Sequence, residues 1–205
     1  MNRDEFFDLI DNIVCVQDRM TQQWHTEESE ISDEFNSSVM KSMLSNHLMN
    51  FKLWHTEDIA RRKDVDASVI AQCKYEIDRL NQQRTDWFEA TNDAFLELLT
   101  PLLSQSKSVI YNTESIGSVI DRLSILSLKI YHMTQECNRR KDTDTDYSVI
   151  SDRLDTLKRQ KRCLVAAFKH SVAEYIDGTK CPIQYKQFKM YNDETLNPQL
   201  YKPNN

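Results

Sequence analysis

Between residues 3 and 27, apolar side chains recur three or four positions apart. Phe6, Ile10, Ile13, Met20 and Trp24, with Gln17 in the same row, fall on one stripe and acids occupy the other side. Such spacing predicts an amphipathic helix, because 3.6 residues per turn return these positions to one face. A second stripe over 31–62 bears Leu44, Leu48, Phe51 and His55. At 1.5 Å per residue it describes a helix of roughly 45–50 Å. Lys63-Asp64-Val65-Asp66 interrupts the pattern, and Asp66 is placed to cap a third helix with Ile70, Cys73, Ile77, Leu80, Trp87, Ala94 and Leu98.

Pro101 and the serines at 104, 106 and 108 mark the next connection. A fourth helix is expected from about Ser115 to Arg140, stopped by Lys141-Asp142-Thr143-Asp144, and a fifth from about Asp146 to Ile176, ended by Asp177-Gly178. No segment alternates as a strand does. Pro182 and Pro198 make the remainder irregular, with room for one short helix. The fold class expected is all-α: a long antiparallel helical bundle of two related αα-hairpins, with an N-terminal helix and an irregular C-terminal tail. It is read as one domain, with the N-terminal helix at 1–30, hairpins at 31–100 and 113–178, and the tail at 179–205. Two glycines and four prolines among 205 residues, against an ordinary usage of about 7% and 5%, leave little material for hairpin turns or phosphate-binding glycine loops.

The two hairpins are linked by a correspondence at a fixed offset. Lys52, Trp54, His55 and Arg62 match Lys129, Tyr131, His132 and Arg139, each 77 positions later, and the register continues through Asp78/Asp155, Leu80/Leu157, Gln83/Gln160 and Ala90/Ala167. An internal repeat of this length predicts two copies of one supersecondary unit, closed about an approximate two-fold axis. His55, Asp58 and Arg62 then share a helix face with His47, Leu48 and Phe51, and His132, Gln135 or Glu136, and Arg139 repeat the placement. Polar groups thus sit twice in an apolar stripe, where each needs a partner.

Three readings of these groups are open. In the first they form a structural network in which Arg62 and Arg139 neutralise Asp58, Asp78, Glu136 or Asp155, in a non-catalytic interaction or scaffold protein. In the second they bind an anionic small molecule: His55 exchanges a proton, Glu57 or Asp58 orients it, and Arg62 grips the anion. Asn81 and Arg84 then add contacts from the next helix, with His47, Asp78, His132, Glu136, Arg139 and Asp155 around them. In the third, His55, His132, Asp58, Asp78, Glu136 and Asp155 make a carboxylate–histidine di-metal bundle for iron or manganese, although the Glu-x-x-His spacing of such sites is missing. Whether the protein is an enzyme stays open, since no nucleophile motif fixes a reaction. His25 and His170 are expected to be exposed, and Trp24, Trp54 and Trp87 to be core packing.

The stretches L-W-H-T-E-D-I-A-R-R at 53–62, I-D-R-L-N-Q-Q-R-T-D at 77–86, I-Y-H-M at 130–133 and Q-F-K-M-Y-N-D-E-T-L-N-P at 187–198 together resemble a bacterial all-helical family, domain-of-unknown-function family 4254. The resemblance spans nearly the whole chain and implies a helical fold without a known activity. The second half departs from the family pattern: Thr134 and Gln135 precede Glu136, and Lys161-Arg162-Cys163-Leu164 stands where Q-R-x-D-L is usual. Any chemistry is therefore expected in the first half.

A net charge of −6 argues against nucleic acid, which needs a basic field. The run Lys158-Arg159-Gln160-Lys161-Arg162 is read as a solvated helix face. Five widely spaced cysteines without a C-x-x-C pair suggest reduced thiols. With no signal-like or membrane-spanning stretch, they predict a cytoplasmic protein without a membrane partner. Homo-oligomerisation through the first helix is a further expectation. The tail motif, with Lys189, Tyr191, Asn192 and Asp193, is expected to cap one end of the bundle.

Overall fold

The computed structural model describes residues 1–27, 31, 35–104, 110–141 and 147–200. It is an all-α bundle of five helices: α1 (Arg3–Trp24), α2 (Ser38–Ala60), α3 (Ala67–Leu99), α4 (Ile116–Arg140) and α5 (Tyr147–Ile176). Single 3-10 turns follow at Thr100–Leu102 and Met190–Asn192. Among the described residues the one β contact is an isolated bridge between Tyr111 and Cys181. No helix there is long and apolar enough to cross a membrane.

Local chemistry sets the helix ends. Asn2 accepts from the Glu5 amide at 3.0 Å while the Glu5 carboxylate accepts from the Asn2 amide at 2.7 Å, a reciprocal cap for α1. The Ser37 and Ser115 hydroxyls accept from the Met40 and Ser118 amides, opening α2 and α4. Helix α2 therefore starts later than residue 31: its cap is at Ser37, and Phe35 and Asn36 are already outside it. Asp66 caps α3 by position without a side-chain bond. Gly178, at φ 70°, ends α5 in the left-handed conformation that glycine adopts freely. The expected start of α2 at residues 32–34, the serines at 106 and 108, the polar stop at 142–144 and the start of α5 at Asp146 lie outside the described residues.

Helix α4 is the hub, packing against all four of the others, and α1 bridges α2 and α5. Contacts fix the directions. Gln17 meets His47 and Ile120, while about two turns further on, at the end of α1, His25 meets His55 and Tyr131, so α1, α2 and α4 run parallel. Arg84 and Asn92 on α3 meet Asp121 and Gly117, and Lys161 and Lys169 on α5 meet Asp18 and Asp11, so α3 and α5 run the other way. Helices α2 to α5 thus alternate in direction along the chain, and α1 runs parallel to α2 and α4. Its core joins Phe6, Ile10, Ile13 and Met20 of α1 to Met43 and Leu44, Leu80 and Phe95, Ile120 and Leu123, and Phe168 and Val172. Burial of such side chains contributes roughly 1.5–3 kcal/mol each.

Two expectations about packing change. Trp24 is buried and Trp54 half-buried, but Trp87 is 39% exposed. The buried row of α3 shifts from Cys73 and Leu80 to Thr85, Asn92, Phe95 and Leu99, which turns Trp87 to the side. The tail does not cap the bundle end. It returns along α3, where Lys189 donates to the Asn81 carbonyl at 2.7 Å, the Gln187 amide to Glu89 at 2.8 Å, and Lys186 pairs with Glu89.

Candidate functional site

Polar residues placed among the apolar rows of α1, α2 and α4 meet at the bundle centre. His47 is fully buried, and Nε2 lies 2.9 Å from the Gln17 carbonyl, which can only accept, so Nε2 bears the proton. Nδ1 is then the acceptor for the Ser124 hydroxyl at 2.7 Å. Burial drives the His47 pKa down to about 4, against the Gln17 hydrogen bond, which favours the cation. This histidine is a satisfied, neutral core group.

One turn away, Asp121 is 5% exposed and gathers the remaining donors. Asn46 and Asn50 each donate to Oδ1 at 2.9 Å, Asn50 also reaches Ser124, and Arg84 grips both carboxylate oxygens, with Nε to Oδ1 at 2.9 Å. Burial works against the Arg84 cation, but its bonds to Asp121 prevail and its pKa is raised. The arginine is held in one orientation, two bonds behind it and its flank toward a cleft of about 430 Å³. The cleft lies between α2, α3 and α4 and is lined among others by Asn50, Trp54, Glu57, Asp58, Asn81 and Arg84.

Beyond Trp54, three imidazoles cluster. The ring centres of His25 and His55, His25 and His132, and His55 and His132 are 5.1, 4.9 and 5.7 Å apart. Trp54 lies flat on His132 at 4.5 Å and 3°, and Tyr131 stacks on His25 at 4.0 Å. Burial, and then the neighbouring imidazoles, lower the pKa of His132 to about 4 and lower that of His55, with Asp58 opposing both. His25 is half-buried rather than exposed, because it caps α1 where α1 meets α2 and α4; His170 is exposed as expected.

The other residues expected at a site divide. Glu57, Asp58, Asn81 and Arg84 share the cleft, and His55 and His132 share the imidazole cluster. Arg62 lies past the end of α2 and pairs with Asp64 at the surface. Asp78 pairs with Lys74, and Glu136 with Arg139 and Arg140, bonds that hold the Glu136 carboxyl down to about 2. Asp155 stands on α5 beside Arg159 and Arg162. Neither the two arginines Arg62 and Arg139 nor the four carboxylates Asp58, Asp78, Glu136 and Asp155 converge. Within the basic run, Lys161 is buried and bonds Asp18 and Ser127, each at no more than 2.8 Å. Asp121, Asn46, Asn50 and Ser124 were not singled out by sequence reasoning, although each interrupts an apolar row.

No curated protein and no solved structure matches the chain. The family model described as "Protein of unknown function (DUF4254)" matches residues 40–183, which takes in nearly all of α2 and the whole of α3, α4 and α5. With four of the five helices, the Asp121 network and the cleft in that span and only α1 ahead of it, the chain belongs to the DUF4254 family.

Proposed function

We propose that this is a small-molecule-binding protein whose ligand lies in the cleft between α2, α3 and α4 and presents an acidic group to Arg84. The observation behind it is the Arg84–Asp121 pair: a buried carboxylate holds a guanidinium in place at the wall of an open cleft, so the donor is oriented before any ligand arrives. Trp54 offers an aromatic face, and Asn50 and Asn81 offer amides. On the same walls Glu57 pairs with Arg61, and Asp58 adds a further carboxylate. These acids favour a ligand with hydrogen-bond donors as well as an acid.

The 77-residue correspondence has support from His47 bonding Ser124 and His55 facing His132. Five free cysteines fit a reducing cytoplasm. A second reading, an interaction protein, is favoured by the tail, where Phe188 is 85% exposed and Met190, Leu196 and Leu200 are each about half exposed. Helix α1 gives that reading no help, since its apolar stripe is buried.

A thermal-shift screen of nucleotides, sugar nucleotides, phosphates and amino acids tests the cleft. One class is expected to raise the melting temperature of the wild type and to lose most of that effect in Asn81→Ala and Arg61→Ala. No shift with any class, or an equal shift in the variants, counts against it.

A further inference from the structure

We propose that His25, His55 and His132 form a binding site for one divalent transition-metal ion, zinc being the best match, with three imidazole ligands and an open fourth position. The proposal needs neither the cleft nor its ligand, because it stands on the three rings alone.

The first argument is distance. One ring nitrogen from each histidine lies within 4.8 Å of the other two. For a tetrahedral ion with Zn–N bonds of about 2.0–2.1 Å, ligand nitrogens sit roughly 3.3 Å apart, and ring centres, about 1.2 Å farther out, roughly 5.2 Å apart. The observed centres, at 4.9, 5.1 and 5.7 Å, bracket that value. The ring centres are thus already spaced for the ion.

The second argument is unsatisfied valence. His47 shows what a structural histidine looks like in this core: both nitrogens are bonded. In the cluster, Nε2 of His25 and Nε2 of His132 are buried without a partner. A buried polar atom left so costs free energy and calls for an explanation. On His25 the tautomer is fixed. Nδ1 lies 2.6 Å from the Thr21 carbonyl, which only accepts, so Nδ1 bears the hydrogen and Nε2 keeps its lone pair. A backbone carbonyl that holds one nitrogen of an imidazole while the other faces the ion is the usual support of a metal-bound histidine.

The third argument is fixity. Trp54 and Tyr131 hold the planes of His132 and His25 by stacking. Asp58 is the carboxylate that acts on both His55 and His132 through space. It is the group placed to neutralise the ion or to orient a water at the fourth position. Three neutral nitrogens with an open position suit zinc and its neighbours better than magnesium or calcium, which prefer oxygen.

The test is a titration of the untagged, metal-stripped full chain with Zn²⁺, and with Co²⁺ as a spectroscopic probe. The expected result is one equivalent bound, with the visible absorption of four-coordinate cobalt. Replacing any one histidine by phenylalanine, which keeps the ring stack, should weaken binding by about 100-fold or more. Histidine ¹⁵N spectra of the wild type need no variant: Nε2 of His25 should be unprotonated without metal and shift on zinc binding together with His55 and His132. Failure to bind one equivalent, binding that survives all three substitutions, or zinc shifts confined to other histidines would overturn the proposal. An inert cleft in the ligand screen would leave it standing.

Discussion

His47 and Ser124 are 77 positions apart in the chain and joined by a 2.7 Å hydrogen bond, with the imidazole held neutral at full burial. The folded pKa of about 4 lies below the ordinary 6.5. The unfolded chain therefore takes up the proton first as pH falls, and stability is lost between about pH 6.5 and pH 4, not above it. The slope from this one group is about 1.4 kcal/mol per pH unit, or about 3 kcal/mol across the window. Urea unfolding at pH 7 and pH 5 checks it: a His47→Gln variant, though less stable at both, should show a smaller difference between them by about one proton's worth of slope. His132 adds to the loss in the same direction, to a smaller extent because it is half exposed to solvent.

Asp121 accepts from Asn46, Asn50 and Arg84. Asp121→Ala leaves a largely buried guanidinium and two amides without their acceptor. The expected cost is about 3–5 kcal/mol in urea unfolding. A loss under 1 kcal/mol would mean that Arg84 swings out to water, and that the cleft wall is not fixed as described.

Gly117 donates its amide to the Asn92 side chain at a close approach of α3 and α4. A Cβ there would overlap the Phe88 carbonyl oxygen and stand 2.9 Å from Cβ of Asn92. Gly117→Ala should therefore destabilise by about 2–3 kcal/mol despite the better helix propensity of alanine, because backbone has to move. Chemical denaturation of the variant measures it, and a stabilised variant would refute the close approach.

Lys161 is buried while its partner Asp18 is half exposed. Burial lowers its pKa, although Asp18 opposes this. Lys161→Met removes the desolvation penalty and leaves Asp18 in water, so stability should stay within about 1 kcal/mol of the wild type. The contrast with Asp121→Ala is the useful comparison: two buried charges, with opposite consequences for removing one member.

The helices were legible because each is long enough for its 3.6-residue period to stand out, as with Phe6, Ile10 and Ile13. Their ends were legible where a cap has a chemical signature, as at Ser115 and Gly178. The site was less so. Periodicity assigns a residue to a face but not to a neighbour. Thus His55 and His132 could be paired by offset, whereas His25, on a helix outside the repeat, could not be placed beside them. Arg62 and Arg139 were misleading because both follow the helical phase yet find partners within three residues, Asp64 and Glu136, and so never turn inward. Asp121 passed unnoticed because one acid beside an arginine at 122 reads as surface; only the approach of α2 and α3 makes it a centre.

Helix α1 precedes the segment shared across the family, which begins at residue 40, yet Phe6, Ile10 and Ile13 on it are fully buried. A fragment trimmed to the shared span would strip His47 of its Gln17 and Thr21 partners, and His55 and His132 of His25. The span matched by the family model and the set of residues that share one core therefore have different limits in this chain. Expression designs, and comparisons among relatives, should be drawn from the residues ahead of the shared span as well as from those within it.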